Sequence, residues 1–457
     1  MEFEKIFDGP VVTLDEVLDN KTSRVERRQA MLSDGFFSGV ICLVSFALNI
    51  PGEVKQFPLA RAAFQEGVAA LHDALGELIL RESSVDKSTG SEALMVVNAE
   101  PLMVKERTAA IEDTHSLGRL FDMDVLDGAG EPISRQTLGA PPRRCLICGK
   151  DAKVCGRSRA HSLDALRLEI ARHLNDYFRD QAADKCACRA TRALLYEVST
   201  TPKPGLVDRN NAGSHRDMDF FTFLDSSAAL SPWFREMFCI GWECSDESAE
   251  TLFERLRFAG RQAERAMLSA TGGVNTHKGL IFSLGLLCGA MGARQAQGVT
   301  AQNSILALCA EMGRLSLRDF QKLDEDTNGK KCFREHQLTG IRGEAAQGFP
   351  SAGQIGLPVL RQWTKAGLSL NDASAAALLA LIGGVSDTNM VRRGGFKRAE
   401  ERRAQATVLA KKLDTANCMD VLRELDESYI EENLSPGGCA DLLAISLMLF
   451  FTEQEQS

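Results

Sequence analysis

The 457-residue sequence lacks the segments that carry a chain into or across a membrane. Its first residues, MEFEKIFDGP, contain neither a basic start nor an apolar stretch, so they do not resemble a signal peptide. The longest apolar run, Leu280–Ala293, is shorter than the roughly 20 residues that span a bilayer, and it contains three glycines. We therefore expect no membrane partner, and we interpret this run as a buried helix.

The sequence also lacks an excess of basic residues. It has 53 lysines and arginines against 62 aspartates and glutamates, which gives a net charge of −9. Nucleic-acid binding depends on a basic surface, so we expect no nucleic-acid partner. Thirteen cysteines are an odd number, and without an export signal they are expected to be reduced thiols in the cytoplasm.

No short repeat and no low-complexity linker divides the chain, but its character changes near residue 182. A length of 457 residues suggests two or three domains. Helix and strand patterns alternate in the first part, and almost only helical spacing follows. We predict two domains. Residues 1–182 form an α/β domain with a mixed sheet, and residues 183–457 form an all-α domain.

Hydrophobic spacing places the main elements. In the first part it predicts a helix over Phe57–Leu80 and three strands, which are Ile41–Leu48, Glu92–Val97 and Arg119–Leu126. In the second part it predicts helices over Thr251–Met267, Leu280–Met291, Ala373–Val385 and Cys439–Phe451. Ser435-Pro436 has the composition of a helix start, with a capping serine followed by proline, and should open the last of these helices.

The stretch GRLFDMDVLD places Asp122 and Asp124 two residues apart on a predicted strand. Residues i and i+2 of a strand face the same side, so the two carboxylates repel each other unless a cation lies between them. Mg²⁺ is the natural partner, because it prefers oxygen ligands and is usually bound by one or two carboxylates plus substrate phosphates. The alternative is a solvated edge strand, and D-x-D spacing alone does not decide between them.

Cys145, Cys148 and Cys155 are followed by His161 in a turn-rich region. The C-x-x-C spacing suits a zinc knuckle, but no second C-x-x-C follows, so small buried thiols are the competing interpretation. The neighbouring arginines could clamp phosphates or form a solvated basic turn; they are Arg143, Arg144, Arg157 and Arg159.

In the second part, polar residues cluster at glycine-rich helix joints. The stretch TTPKPGLVDRNNAGSHRDMDFFTF contains a rigid Pro-Lys-Pro-Gly turn that is expected to hold Lys203 outward, and it places Arg209 in a loop. A helix is expected to start at Ser214–Asp217. Asp217 and Asp219 would then lie about 200° apart on it, and could share a metal only if the first turn is irregular. Otherwise they are acids at a helix N-terminus.

Four further joints have the same composition, although none is a P-loop. Backbone N–H groups at helix N-termini bind anions, so together the joints predict a shared polyphosphate and Mg²⁺ pocket. The residues concerned are Asn275, Thr276, His277, Lys278, Arg342, Glu344, Asp387, Asn389, Arg392, Arg393 and Asp441.

Two resemblances cover nearly the whole chain. Residues 10–180 resemble the holo-citrate lyase synthases, which are apo-citrate lyase phosphoribosyl-dephospho-CoA transferases, in pieces such as RRQAML, LMVVNAEPLMVKERT, GRLFDMDVLD and RRCLICGKDAKVCGRSRAHS. Residues 185–455 resemble the triphosphoribosyl-dephospho-CoA synthases in TPKPGLVD, HRDMDFFTF, NTHKG, GIRGEAA and DTN. The chain therefore looks like the fused two-enzyme form.

The first resemblance implies a nucleotidyltransferase-like fold, with Asp122 and Asp124 as the catalytic metal carboxylates. It also implies transfer of a phosphoribosyl-dephospho-CoA group to a serine of the citrate lyase acyl-carrier subunit, with release of pyrophosphate. Arg157 is a candidate phosphate contact.

The second resemblance implies that ATP and 3′-dephospho-CoA are joined with loss of adenine. Within this chemistry we predict His215 or Glu344 as the base for the 2′-hydroxyl and His277 as the acid for adenine. Asp217, Asp219 and Asp387 are predicted on metal or ribose. The predicted nucleotide contacts are Lys203, Arg209, Asn275, Lys278, Arg342, Asn389 and Arg392.

Three alternatives stay open from the sequence. The chain could be a non-catalytic scaffold that binds nucleotides and an acyl carrier. It could be a zinc-binding adaptor built on the cysteine cluster. It could also carry out the same chemistry on the acyl carrier of malonate decarboxylase.

Overall fold

The structure is a computed structural model, and it describes residues 6–33, 40–321, 328–413 and 417–455. The chain divides into two compact units, Met1–Phe178 and Arg179–Ser457. Each unit has its own hydrophobic core.

The first unit, here called the sheet unit, contains one five-stranded sheet with helices on both faces. The strand order is β2-β3-β1-β4-β5, with bounds β1 (Ile41–Leu48), β2 (Ile79–Lys87), β3 (Gly90–Asn98), β4 (Phe121–Asp127) and β5 (Pro132–Ile133). The helices are α1 (Leu14–Ser33), α2 (Pro58–Leu75), α3 (Pro101–Thr114), α4 (Ala152–Ser158) and the first part of α5 (Leu163–Ser199).

The prediction of a mixed sheet is wrong, because every neighbouring pair of described strands is antiparallel. Strands β1 and β2 run in the same direction across α2, as in a parallel crossover, but β3 lies between them. The helix predicted to reach Leu80 ends at Leu75, and β2 follows it. Strand β2 is an exposed edge strand, so it lacks the apolar alternation that would have predicted it.

The two faces of the sheet differ in chemistry. One face is apolar and packs against residues of α2, α3 and α5; its strand residues include Val44, Phe46, Phe121 and Met123. The other face, beside α1, carries the polar side chains. On it Ser45 pairs with Asp124 and Ala47 pairs with Asp122 across β1 and β4. This face is the one that can hold a site.

The second unit, here called the helical unit, has only helices and turns in its described residues. The four predicted helices all form. The unit contains the end of α5 and then α6 (Phe220–Glu243), α7 (Ala249–Ala270), α8 (Lys278–Ala296), α9 (Gln302–Ser316), α10 (Asn328–His336), α11 (Gly340–Ala346), α12 (Leu357–Lys365), α13 (Leu370–Gly384), α14 (Thr388–Gly394), α15 (Phe396–Lys412), α16 (Cys418–Glu431) and α17 (Gly437–Gln454).

Helix α8 is longer than the run predicted from sequence, and by length and composition it could cross a membrane. The bent pair α13 and α14 passes the same test together. In the helical unit, however, 72% of the apolar window of α8 is buried against other helices. This burial is what the core helix of a helical domain requires.

Helices α6 and α8 pack with their backbones in close approach. A Cβ atom at Gly241 would lie 1.9 Å from the carbonyl oxygen of Gly289, and one at Gly292 would lie 2.0 Å from that of Phe238. Backbone atoms cannot move aside as a flexible side chain can. Glycine at these positions therefore sets the distance between the two helices.

We predict that Gly241→Ala destabilises the protein, because the two helices must separate to admit the methyl group. The expected loss is about 1–3 kcal/mol, which is typical of overpacking. The matched control is Gly260→Ala on α7, where the nearest atom to the new Cβ lies 3.9 Å away. That change should be neutral or stabilising by up to about 1 kcal/mol, because alanine favours a helix over glycine. Thermal melting of both full-length variants, followed by circular dichroism, checks the pair.

Candidate active sites

In the sheet unit, Asp122 and Asp124 lie on the same face of β4, and each side chain is about half exposed. Two arginines reach them from different elements. Arg28 on α1 donates to Asp124 Oδ2 at 3.1 Å and to Ser45 Oγ at 2.8 Å. Arg143 donates to Asp122 Oδ1 at 3.4 Å and also contacts the Phe121 carbonyl oxygen. The site thus combines paired acids with two guanidinium groups that could bind phosphates.

The paired acids fit a divalent cation. Burial, and then the charge of Asp124, raise the pKa of Asp122. A carboxyl group whose neighbour disfavours its ionised form is one that a cation between the two would stabilise. Lys105 is buried behind the strand and donates to the Met123 carbonyl oxygen, and its ammonium charge interacts with both carboxylates.

Arg157, the other predicted phosphate contact of this unit, is exposed in the last turn of α4. It does not line the cavity of about 530 Å³ that lies beside this helix, whereas Arg119 and Arg159 do. Cys145, Cys148, Cys155 and His161 come together next to that cavity.

In the helical unit, the predicted joints meet around a polar cavity of about 550 Å³. Of the thirteen residues of this unit with a predicted role, eight line it; they are Lys203, His215, Asp217, Asn275, His277, Lys278, Asn389 and Arg392. Three other residues of the predicted pocket, Thr276, Arg393 and Asp441, also line it. Glu197 and Ser435 line it without having been predicted there. We call this space the polar cavity.

Lys203 lies on the Pro-Lys-Pro-Gly turn, but its side chain points inward and is only 1% exposed. The ammonium group donates to Glu197 at 2.5 Å, from the last turns of α5. Asp208 and Asp426 fix the turn by accepting from the backbone N–H groups of Lys203 and Gly205. The turn therefore buries an ion pair at the cavity wall.

Asp441 on α17 is a partly buried acid of the polar cavity. A Cβ atom at Gly279 would lie 2.0 Å from its Oδ2, so glycine there lets the start of α8 approach this carboxyl group. Burial, and then the charges of Glu197 and Asp387, raise the pKa of Asp441 well above its ordinary value.

The helix predicted to start at Ser214–Asp217 begins instead at Phe220, so Asp217 lies in the preceding loop. Asp219 is the N-cap of α6 and forms a capping box with Thr222. It does not line the cavity. The Asp219 carboxylate accepts a hydrogen bond from the Thr222 N–H, which has no partner within the helix, and this explains why an acid stands there.

His215 is held by two neighbours. Its Nδ1 accepts from Arg393 at 3.2 Å, so in the neutral ring Nε2 carries the proton and donates to Ser435 Oγ at 3.0 Å. Burial, and then the charge of Arg393, lower the pKa of His215 to about 4. Ser435 is thereby bound to His215, and α17 begins at Gly437 without a side-chain cap, contrary to the prediction.

His277 is 1% exposed and lines the polar cavity at the start of α8. Its Nδ1 shares a hydrogen bond of 2.7 Å with Ser226 Oγ, and its Nε2 is buried without a partner. Burial, and then the charge of Lys203, lower the pKa of His277 to about 3. In this state the ring is neutral near pH 7, which does not favour the predicted role of a cationic acid.

Four more predicted residues lie outside the polar cavity because each has a different partner. Arg209 donates to Thr201 and Asn371. Glu344 accepts from the backbone and hydroxyl of Ser351. Asp387 caps α14 and also accepts from the Cys439 N–H. Arg342 pairs with Asp319. The predicted metal trio of Asp217, Asp219 and Asp387 does not form a ligand group in the described residues.

A second cavity, of about 390 Å³, adjoins the polar one and is largely apolar. Lys278, Gly279 and Ile341 line both spaces. Phe253, Phe282 and Leu286 supply apolar walls, and Arg257, Arg261 and Arg342 lie at its polar side. We call it the apolar cavity. Sequence reasoning missed it because its residues are spread over α7, α8 and α11 without a common motif.

In comparisons with known proteins, each of the two units matches a separate protein family. Residues 183–457 match the family described as CitG, ATP:dephospho-CoA triphosphoribosyl transferase. Residues 12–177 match the family described as CitX, apo-citrate lyase phosphoribosyl-dephospho-CoA transferase. A protein named CitXG from Leuconostoc mesenteroides subsp. cremoris is 35% identical, over 96% of this chain and 97% of its own length.

The chain belongs to the fused CitXG family. A second CitXG protein, from Haemophilus influenzae, is 31% identical over 96% of both chains. A 2-(5″-triphosphoribosyl)-3′-dephosphocoenzyme-A synthase from Pectobacterium atrosepticum is 44% identical, over 57% of this chain and 87% of its own. This CitXG-family chain is therefore a transferase of citrate lyase prosthetic-group biosynthesis.

We predict that Asp441→Asn stabilises the ligand-free protein near neutral pH but not in acid. The folded state raises the pKa of Asp441, so its contribution to stability is present at low pH and is lost as the pH rises through the raised pKa. Asparagine removes that loss, which amounts to about 1.4 kcal/mol for each unit of pKa shift. Thermal melting at several pH values measures it.

The control for this prediction is Asp225→Asn, at an exposed position on α6. Its melting temperature should follow that of the wild type at every pH. A stability difference for Asp441→Asn that stays constant from acid to neutral pH would contradict the assignment.

Proposed function

We propose that the chain makes and attaches the citrate lyase prosthetic group. In this proposal residues 183–457 join ATP to 3′-dephospho-CoA, giving 2′-(5″-triphosphoribosyl)-3′-dephospho-CoA and adenine. Residues 1–182 then transfer the phosphoribosyl-dephospho-CoA group to a serine of the citrate lyase acyl-carrier subunit and release pyrophosphate. The observation that carries the proposal is the polar cavity, where separate glycine-flanked joints meet around buried acids and bases.

Breaking the glycosidic bond of ATP builds positive charge on the ribose ring, as in glycoside hydrolysis. A carboxylate in a buried site stabilises such charge far more than one in water. We assign Glu197 to this face of the ribose. The phosphates would lie toward Lys278, Arg392 and Arg393, the cationic side of the same cavity.

The second requirement is a base for the 2′-hydroxyl of dephospho-CoA. The two predicted candidates are poorly suited, since both ring nitrogens of His215 are engaged and Glu344 is bound to Ser351. A carboxylate with a raised pKa is a stronger base than an ordinary one. Asp441 has a raised pKa and lines the cavity, so we propose it for this role.

His277 has a different role in this proposal. Its buried Nε2 is a neutral hydrogen-bonding group at the cavity wall. We propose that it orients the adenine or the ribose of ATP by a hydrogen bond, and that the proton for the leaving adenine comes from another group.

The apolar cavity is the proposed site for dephospho-CoA. Its apolar walls suit the pantetheine arm, and its arginines suit the diphosphate. Because it meets the polar cavity at Lys278 and Gly279, the 2′-hydroxyl of one nucleotide could reach the ribose of the other.

In the sheet unit, we propose that Asp122 and Asp124 hold Mg²⁺ in a nucleotidyltransferase-like site. The ion would neutralise phosphate charge when bound. Arg28 and Arg143 contact the same carboxylates and would orient the triphosphate beside them. The carrier serine would attack the α-phosphate, and pyrophosphate would leave.

We predict that the two reactions can be lost separately. Asp441→Asn should lower adenine release from ATP and dephospho-CoA by about a hundredfold or more, the usual contribution of a general base. The same variant, supplied with the triphosphoribosyl product, should still modify the apo-carrier. Asp122→Asn should do the reverse. Chromatography of adenine and mass spectrometry of the carrier measure the two steps.

Exposed aspartates provide the controls, with Asp225→Asn on α6 and Asp73→Asn on α2. Both should retain both activities. A wild-type protein that releases no adenine with ATP, Mg²⁺ and dephospho-CoA would favour the non-catalytic scaffold. Loss of both steps in either single variant would contradict the assignment of one reaction to each unit.

We predict that Arg261→Met, at the rim of the apolar cavity, raises the KM for dephospho-CoA by about tenfold and leaves that for ATP unchanged. Tenfold corresponds to about 1.4 kcal/mol, a typical loss for one charge-assisted contact. Arg265→Met, one turn further along α7 and outside the cavity, is the matched control. A rise in the KM for ATP instead would mean that ATP binds in the apolar cavity, which contradicts the proposed assignment. Steady-state kinetics of adenine release distinguish these outcomes.

A further inference from the structure

The sheet unit brings three thiols and an imidazole together outside the Asp122–Asp124 pair. One ligand atom from each of Cys145, Cys148, Cys155 and His161 lies within 4.8 Å of the other three. Among the described residues no other group of three or more such side chains is found. The sequence has no second C-x-x-C pair, and in the structure Cys155 and His161 take the place of that pair.

The backbone around these residues is built to make them converge. Cys145 and Cys148 lie on a tight turn that closes with Gly149 N–H donating to the Cys145 carbonyl oxygen, and Gly149 has φ +68. Asp151 caps α4, which carries Cys155. Arg159 has φ +49 and ends the helix, so the chain turns back and brings His161 to the thiols.

The spacing of the ligand atoms suits tetrahedral zinc. Zinc–sulfur bonds of about 2.3 Å place two thiolates of one tetrahedron about 3.8 Å apart. Cys148 Sγ and Cys155 Sγ are 3.5 Å apart, and all four ligand atoms fall within the 4.8 Å limit.

A second observation points to a ligand rather than to packed thiols. His161 Nε2 is buried and has no hydrogen-bond partner, which is costly for an imidazole that only fills space. Cys148 is exposed, so the group is not a closed apolar cluster. Lysines and arginines flank the four ligands in the sequence, and their charge would offset that of three thiolates around one Zn²⁺.

We propose that Cys145, Cys148, Cys155 and His161 bind one structural Zn²⁺. The four protein ligands leave no open position, so the ion has a structural and not a catalytic role. It holds the segment that leads from Arg143, which contacts Asp122, to the walls of the neighbouring cavity of about 530 Å³. This short segment has one small helix and few buried side chains, so the ion would add to the hydrogen bonds that hold Arg143.

Metal analysis of the full-length protein, purified without chelator and dialysed against metal-free buffer, tests the proposal. The expected result is about one zinc per chain. Cys155→Ser and His161→Asn should each lower the zinc content at least tenfold. Cys188→Ser removes another exposed thiol, on α5, and should keep the zinc of the wild type. Wild-type protein with less than a tenth of a zinc per chain, or with iron instead, would overturn the proposal.

A second measurement does not depend on how the variants fold. Wild-type protein in which cobalt replaces the metal should show the visible absorption of a tetrahedral thiolate site, with an intensity equal to that of one site per chain. Removal of the metal by a chelator should speed amide hydrogen exchange in residues 143–162 and leave α7 unchanged. An octahedral cobalt spectrum, or exchange in residues 143–162 that does not respond to metal removal, would also overturn it.

Discussion

Buried charge is the constraint on which the helical unit depends. Lys203 and Glu197 are 1% and 2% exposed, and the partly buried Asp441 interacts electrostatically with Glu197 and with the buried Asp387. Taking such groups out of water costs several kcal/mol for each ion, and an ion pair rarely recovers more than that. Burial of these charged groups therefore lowers the stability of the fold. Asp208 and Asp426 accept hydrogen bonds from the backbone of the Lys203 turn, and so hold Lys203 in position without a substrate.

Local pattern predicted most of the elements but not their arrangement. Strands β1, β3 and β4 and the four long helices follow from hydrophobic spacing, because each has a buried face or is buried all round. Strand β2 has almost no buried residue, so it gave no signal. The antiparallel order of the sheet depends on β3 inserting between β1 and β2, a tertiary event that no local pattern contains.

For the site, sequence reasoning was most successful for polar residues that lie next to glycines at helix joints. Eight residues with predicted roles at such joints do line the polar cavity. It was weakest where a polar side chain serves the backbone, since Asp219 and Asp387 cap helices and Glu344 binds Ser351. Glu197 was missed because it stands in the last turns of a long helix with no motif around it. Only the folded turn brings Lys203 to it.

Under the proposed function, the two sites differ in exposure for a chemical reason. The first reaction joins two small nucleotides through a cationic ribose, and buried acids in a walled cavity stabilise that charge while excluding water. The acceptor of the second reaction is a serine of a separate protein, so the site must admit a whole protein surface. A carboxylate pair that is about half exposed on a sheet face admits such a partner, and a buried one does not. The exposed pair and the buried acids are thus each matched to the size of the molecule that must reach them.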